Sequence, residues 1–110
     1  MGLDEALAAV ADPTRRAICQ RLAHGRASTG QLAALFPISR PAVSQHLKVL
    51  KDAGLIRLAG EHRLSPYELI PGPLLEIEAW VGVVARSWQA APLPREDDNR
   101  RAERQRRTRS

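Results

Sequence analysis

Four closely spaced side chains, Arg40, Ser44, Gln45 and Lys48, define the chemistry open to this chain. A guanidinium offers a planar fork of donors, a carboxamide donates and accepts, and a hydroxyl does either. The arginine fork matches guanine O6 and N7, and the glutamine amide matches adenine N6 and N7. Lysine supplies a point charge for phosphate. No acid precedes Asp52 in the stretch that begins at Ile38. A solvated helix face usually mixes signs. This one suits an anion with base edges behind it, so the expected chemistry is non-covalent recognition of double-stranded DNA.

These groups need a helix to aim them, and the local punctuation supplies one. Ser39 is a capping residue, Pro41 falls in the first turn, and Gly54 is a stop, which predicts a helix over 39–53. At about 100° per residue, Val43, Leu47 and Leu50 fall together, while Pro41, Ser44, Gln45 and Lys48 fall opposite. Arg40 stands at the exposed N-terminus. His46 lies at the margin of the apolar stripe, where a packed, hydrogen-bonded histidine is expected rather than a base contact.

The rest of the chain reads as the frame for that helix. Leu3, Leu7 and Val10 mark a first helix over 3–11, with Asp4 and Glu5 in its first turn. Asp12-Pro13 caps and opens a second, which buries Ile18 and Leu22 and ends at His24-Gly25. Ser28 and Gln31 have the spacing of a capping box and begin a third, with Leu32, Leu35 and Phe36 on its apolar face, stopped by Pro37. A short gap to the helix at 39–53 makes the pair a helix-turn-helix. After Gly54 the period changes, and residues 55–58 and 64–70 read as two strands, with Pro66 confined to an edge or bulge. A hairpin directly behind a polar-faced helix is a wing. After Pro71-Gly72-Pro73 a last helix runs over about 74–89, with Ile77, Val81, Val84 and Trp88 in one stripe beside Leu74 and Trp80. The expected fold is therefore mainly α with a small β-hairpin, a winged helix-turn-helix of five helices plus a two-stranded wing.

Composition bounds this reading. A chain of 110 residues allows one folded domain, expected over 1–91. The net charge is +5, but the seven arginines and four acids of residues 95–110 account for +3 of it, so the folded part is only mildly basic. Residues 92–110 read as a disordered arginine-rich tail, either solvated or adding non-specific DNA affinity. A core this small has little interior for two tryptophans. The stripes Leu3, Leu7 and Val10 on the first helix and Ile77, Trp80, Val81, Val84 and Trp88 on the last are therefore expected to form a homodimer seam. No apolar run reaches membrane-spanning length and no signal peptide opens the chain. With a single cysteine, Cys19, this places the protein in a reducing cytoplasm, with no membrane partner.

The blocks Ala11-Asp12-Pro13-Thr14-Arg15-Arg16, Ser39-Arg40-Pro41-Ala42-Val43-Ser44-Gln45-His46-Leu47-Lys48-Val49-Leu50 and Ala53-Gly54-Leu55-Ile56 resemble the ArsR family of bacterial winged-helix repressors, over roughly residues 3–90. The resemblance implies a homodimer built from first and last helices, binding an inverted-repeat operator and blocking transcription. It assigns base reading to the positions of Arg40, Pro41, Ser44 and Gln45. The wing tip, Glu61 to Arg63 with His62 between, is placed by a minor groove. Metal-sensing members carry cysteines on the third helix, or histidine and acidic ligands on the last. The matching stretch Gln31-Leu32-Ala33-Ala34-Leu35 has no thiol, and the last helix has no histidine. The non-metal-sensing branch is expected, with no metal, no cofactor and an effector the sequence does not name.

An enzyme is excluded on pattern. The chain has no Ser/His/Asp or Cys/His set with a common site, no phosphate-cradling glycine loop and no carboxylate cluster. His24, Cys19 and His62 lack ligand spacing for a metal. Two readings stay open beside DNA-binding regulation: a regulator of the same fold that responds to a small molecule or, through Cys19, to redox state, and a winged-helix module that docks other proteins.

Overall fold

A computed structural model describes residues 2–90, Arg100 and residues 103–106, the side chains of residues 89 and 90 excepted. The chain runs α1 (Leu3–Ala9), α2 (Pro13–Leu22), α3 (Thr29–Ala33), α4 (Arg40–Asp52), β1 (Ile56–Leu58), β2 (Tyr67–Leu69) and α5 (Gly72–Ala90). It is mainly helical with one antiparallel hairpin, the winged helix-turn-helix order that the punctuation predicts.

Each expected cap forms as a hydrogen bond. Asp12 Oδ2 accepts from Arg15 N at 3.0 Å, and Ser39 Oγ accepts from Ala42 N at 3.2 Å. The capping box is reciprocal: Gln31 N donates to Ser28 Oγ at 3.1 Å, and Ser28 N donates to Gln31 Oε1 at 2.8 Å. At the far end of α4, Gly54 takes the left-handed φ of 75°. Its N–H reaches Lys51 O at 3.0 Å, and Leu55 N reaches Leu50 O at 3.0 Å. This double closure is the Schellman motif, and its companion contact joins Leu50 and Leu55, both fully buried.

The core gathers Ile18, Cys19 and Leu22 of α2, Leu32 of α3, Val43, Leu47 and Leu50 of α4, then Leu55 and Ile56. Full burial of such side chains stabilises the fold by about 1.5–3 kcal/mol each. On α1 it is Ala6 and Ala9 that are buried, while Leu3, Leu7 and Val10 are half-buried; α1 turns its small residues inward, which lets its backbone approach α4. One expectation changes here. On α3 the helix closes at Ala33, so Leu35 leaves the helical stripe and is 53% exposed.

The hairpin is shorter than the sequence pattern, three residues a side, with Ile56, Arg57 and Leu58 opposite Leu69, Glu68 and Tyr67. Pro66 falls just outside the ladder, as its missing N–H requires, and its carbonyl accepts from Ala59 N at 2.7 Å. The other edge of β2 is paired with Ala27: Tyr67 N donates to Ala27 O at 2.8 Å, and Ala27 N to Tyr67 O at 3.1 Å. The segment leading into α3 thereby anchors the base of the wing.

The chain divides into two units, residues 1–79 and 80–110. In the first, Leu74 packs against the core cluster. In the second unit Trp80, Val81, Val83, Val84 and Trp88 are about half or more exposed, at 48–61%. Most of the expected tail, residues 92–99, 101, 102 and 107–110, lies outside the described residues. Arg100 and residues 103–106 are helical, in keeping with the high helix propensity of Arg, Glu and Gln. Among the described residues no helix is long and apolar enough to cross a membrane.

One arginine ties three helices together. Arg15 Nε donates to Ala9 O at 2.6 Å and Nη2 to Ala8 O at 3.3 Å, satisfying the last carbonyls of α1. Its Nη1 lies 3.3 Å from His46 Nδ1 on α4. Arg15→Met keeps the aliphatic stem and removes these bonds. Thermal unfolding is expected to show a loss of about 1–2 kcal/mol, or roughly 5–15 °C in Tm. An unchanged Tm would show that the three contacts carry no net stability.

Candidate nucleic-acid interface

Burial of Val43 and Leu47 at 0% and 2% fixes the rotation of α4 about its own axis. The opposite side is then bare: Arg40, Pro41, Ser44, Gln45 and Lys48 are all exposed. None of the side chains of Arg40, Ser44, Gln45 and Lys48 has a hydrogen-bond or ion-pair partner among the described residues. The first turn of α4 contains no acid. These are donors and acceptors left open on a rigid element.

His46 falls outside this set. It is half-buried, its Nδ1 faces Arg15, and Asp12 Oδ2 lies 3.9 Å away. A guanidinium can only donate, so the contact uses Nδ1 as an acceptor. This is the packed structural histidine that its marginal position on the stripe predicts.

The wing carries the other expected contacts. His62 and Arg63 are exposed in the turn between β1 and β2. His62 also shapes that turn: Leu64 N donates to its Nδ1 at 3.1 Å, and Ser65 N donates to its carbonyl at 2.8 Å. Only Nε2 of the ring is left to meet a ligand. Below the tip, the directly opposed pair Arg57 and Glu68 closes at 2.7 Å, and Arg26 reaches the second carboxylate oxygen at 3.0 Å. Sequence reasoning missed this triad, because pairing Arg26 with Glu68 requires the bridge at Ala27. The hydrogen bond from Arg57, reinforced by Arg26, holds the Glu68 carboxyl below its ordinary range. Two of the cations near the wing thus share one carboxylate within the protein, whereas Arg40 and Arg63 have no ion-pair partner among the described residues.

Arg40 and Arg63, from separate elements, line one cavity with Ser28, Thr29, Gly30 and Ser65. Residues 28–30 were expected only to start a helix. Their position beside Arg40 comes from the packing of α3 on α4, for which the sequence has no local signal. Cys19 is buried and lines a separate apolar cavity of about 330 Å³ with Val10, Leu74 and Ile77. Desolvation pushes its thiol above the ordinary value, which favours the protonated form. Among the described residues no group of three or more His, Cys, Asp or Glu could hold a metal ion.

A helix-turn-helix domain family model matches residues 10–59. The HTH-type transcriptional regulator Rv2034 of Mycobacterium tuberculosis is 59% identical over 70 residues, 62% of this chain and 64% of that protein. The matched stretch therefore spans a little under two thirds of that curated relative's length. Among solved structures, the ArsR family transcriptional regulator RHA00566 superposes with a TM-score of 0.74 at 32% identity, covering 82% of this chain and 93% of that one. The homodimeric winged helix-turn-helix DNA-binding domain of a possible ArsR-family regulator from Mycobacterium bovis gives 0.59 at 25% identity, covering 76% and 77%.

The triad makes the wing pH-sensitive in a defined direction. A carboxyl whose folded pKa is depressed adds stability that is full above its unfolded value, about 4.3, and is lost as pH falls through the lower folded value. Glu68→Gln should therefore melt below the parent chain at neutral pH, with the gap closing under acid. A gap that stays constant down to about pH 2 would mean that the pairing adds nothing.

Proposed function

Because the chain belongs to the ArsR family of helix-turn-helix transcriptional regulators, we propose that it binds an inverted-repeat operator as a homodimer and represses transcription by occupying it. The observation that carries this reading is the bare, acid-free face of α4, whose Arg40, Ser44, Gln45 and Lys48 side chains find no partner within the described protein. In it, Ser44 and Gln45 on the outward face supply base-edge contacts beside Pro41, and Lys48, a turn further along, meets the backbone. His62 and Arg63 bring the wing to the neighbouring groove. Two copies are supported by the exposed Trp80, Val81, Val84 and Trp88 of α5, together with half-buried Ile77, Leu3, Leu7 and Val10. The homodimeric relative supports the same assembly. We place the protein in the branch that senses no metal, since Gln31 to Leu35 offers no thiol and α5 no histidine. Its apolar surfaces find their use between copies, and a protein-docking module would have no need of the cationic face.

Selection of duplexes from a randomised pool by the purified chain tests the reading directly. A recovered motif with two-fold symmetry is expected, and recovery of no motif counts against it. On that motif Gln45→Ala should cost about 1–3 kcal/mol and relax preference at one base pair per half-site. Lys48→Ala should instead weaken cognate and unrelated DNA alike and flatten the salt dependence. Exchange of these two phenotypes would show that the helix lies differently in the groove.

Val84 is half exposed in the single chain, so Val84→Asp should leave the fold intact and place an unpaired charge at the seam. That costs about 3–5 kcal/mol for each charge left uncompensated at a dry contact. Light scattering should report a folded monomer that has lost the operator, because one half-site holds too few contacts. An unaltered dimer would move the seam elsewhere.

A further inference from the structure

Neighbouring cations in a folded protein usually share an anion, and this chain does so below the wing, where Glu68 accepts from Arg57 and Arg26. The cavity of about 270 Å³ between α3, α4 and the wing breaks that pattern. Arg40 and Arg63 both line it, and no acid does. Neither guanidinium has a hydrogen-bond or ion-pair partner among the described residues. Arg40 is folded towards the start of α3, with Nη2 only 3.4 Å from where a Cβ on Gly30 would stand. Ser28, Thr29, Gly30, Leu64 and Ser65 make up the rest of the lining, and the Thr29 and Ser65 hydroxyls have no partner among the described residues. Two cationic residues lining one cavity that no acid lines make it favourable to an anion. The donors come from different elements, so they suit a tetrahedral anion whose oxygens point in different directions.

The geometry points to a single DNA backbone phosphate held between Arg40 and Arg63. The inference rests on DNA being the ligand of α4, and it changes the role of Arg40. An arginine turned onto α3 is a phosphate holder, not the guanine reader that the family resemblance assigns. Base reading then falls to Ser44 and Gln45. The same phosphate would lock the wing to the helix-turn-helix, so that both engage one DNA strand in fixed register.

The test uses the full chain and a duplex recovered by the parent protein from a randomised pool, with neutral methylphosphonates placed one position at a time. Arg40→Gln and Arg63→Gln are each expected to weaken binding by about 3- to 10-fold. Base preference should stay unchanged, and the slope of log affinity against log salt should fall by up to about 0.9. One methylphosphonate position per half-site should abolish the effect of both substitutions, because the oxygen they share has lost its charge. Arg40→Lys and Arg63→Lys keep the charge and should retain most of the affinity, which separates loss of contact from loss of fold. Different silencing positions for the two variants, or a changed preference at a guanine in Arg40→Gln, would overturn the shared phosphate. Inorganic phosphate binding at micromolar concentration, with no methylphosphonate position mattering, would put a free anion in the cavity and also overturn it. If the parent chain recovers no DNA at all, the failure belongs to the DNA-binding reading itself. Parent binding without any loss in either variant sinks only the phosphate.

Discussion

The structure depends on α4 being buried on one side and bare on the other. Val43, Leu47 and Leu50 sit at 0–2% exposure, and no rotation of the helix keeps them dry while hiding Ser44, Gln45 and Lys48. The hydrophobic effect therefore does the aiming. Transferring those three side chains back to water would cost several times the worth of any single surface contact, so the polar face is presented whether or not a ligand is there. Recognition from such a face needs little reorganisation on binding, which conserves affinity.

Polar contacts then refine what burial has oriented. Arg15 satisfies the end of α1 and reaches His46 on the flank of α4, and the Schellman closure at Gly54 sends the chain directly into β1. Each fixes a junction rather than a surface. The wing is attached twice in the same way, by the Ala27–Tyr67 bridge and by Glu68 between Arg57 and Arg26. A two-stranded hairpin alone is marginal in water, so this second strand-like partner supports the base of the wing.

Charge is divided by the same logic. Arg15, Arg16, Arg26 and Arg57 are engaged within the protein, on carbonyls or on Glu68. Arg40, Arg63 and Lys48 are exposed and have no partner among the described residues. A net charge of +5 is a poor guide to this division. What matters is which cationic donors the fold has already engaged.

Much of this was legible in the sequence, because the signals are local. A capping serine, a proline in the first turn and a glycine stop determine α4 within a residue or so, and a 3.6-residue period separates its buried stripe from its polar face. The capping box at Ser28 and the exclusion of Pro66 from the ladder follow from hydrogen-bonding capacity alone. Other features needed the tertiary structure, because they join residues far apart in the chain. The bridge from Ala27 to Tyr67, the salt-bridge partner of Arg26 and the reach of Arg15 to His46 depend on packing that no window of sequence contains. Leu35 misled for a related reason: the period held, but α3 ended at Ala33 and carried the leucine out of register. Residue types near α4 already pointed to nucleic acid. Which arginines remain free to touch it was decided only when the chain folded and used the others.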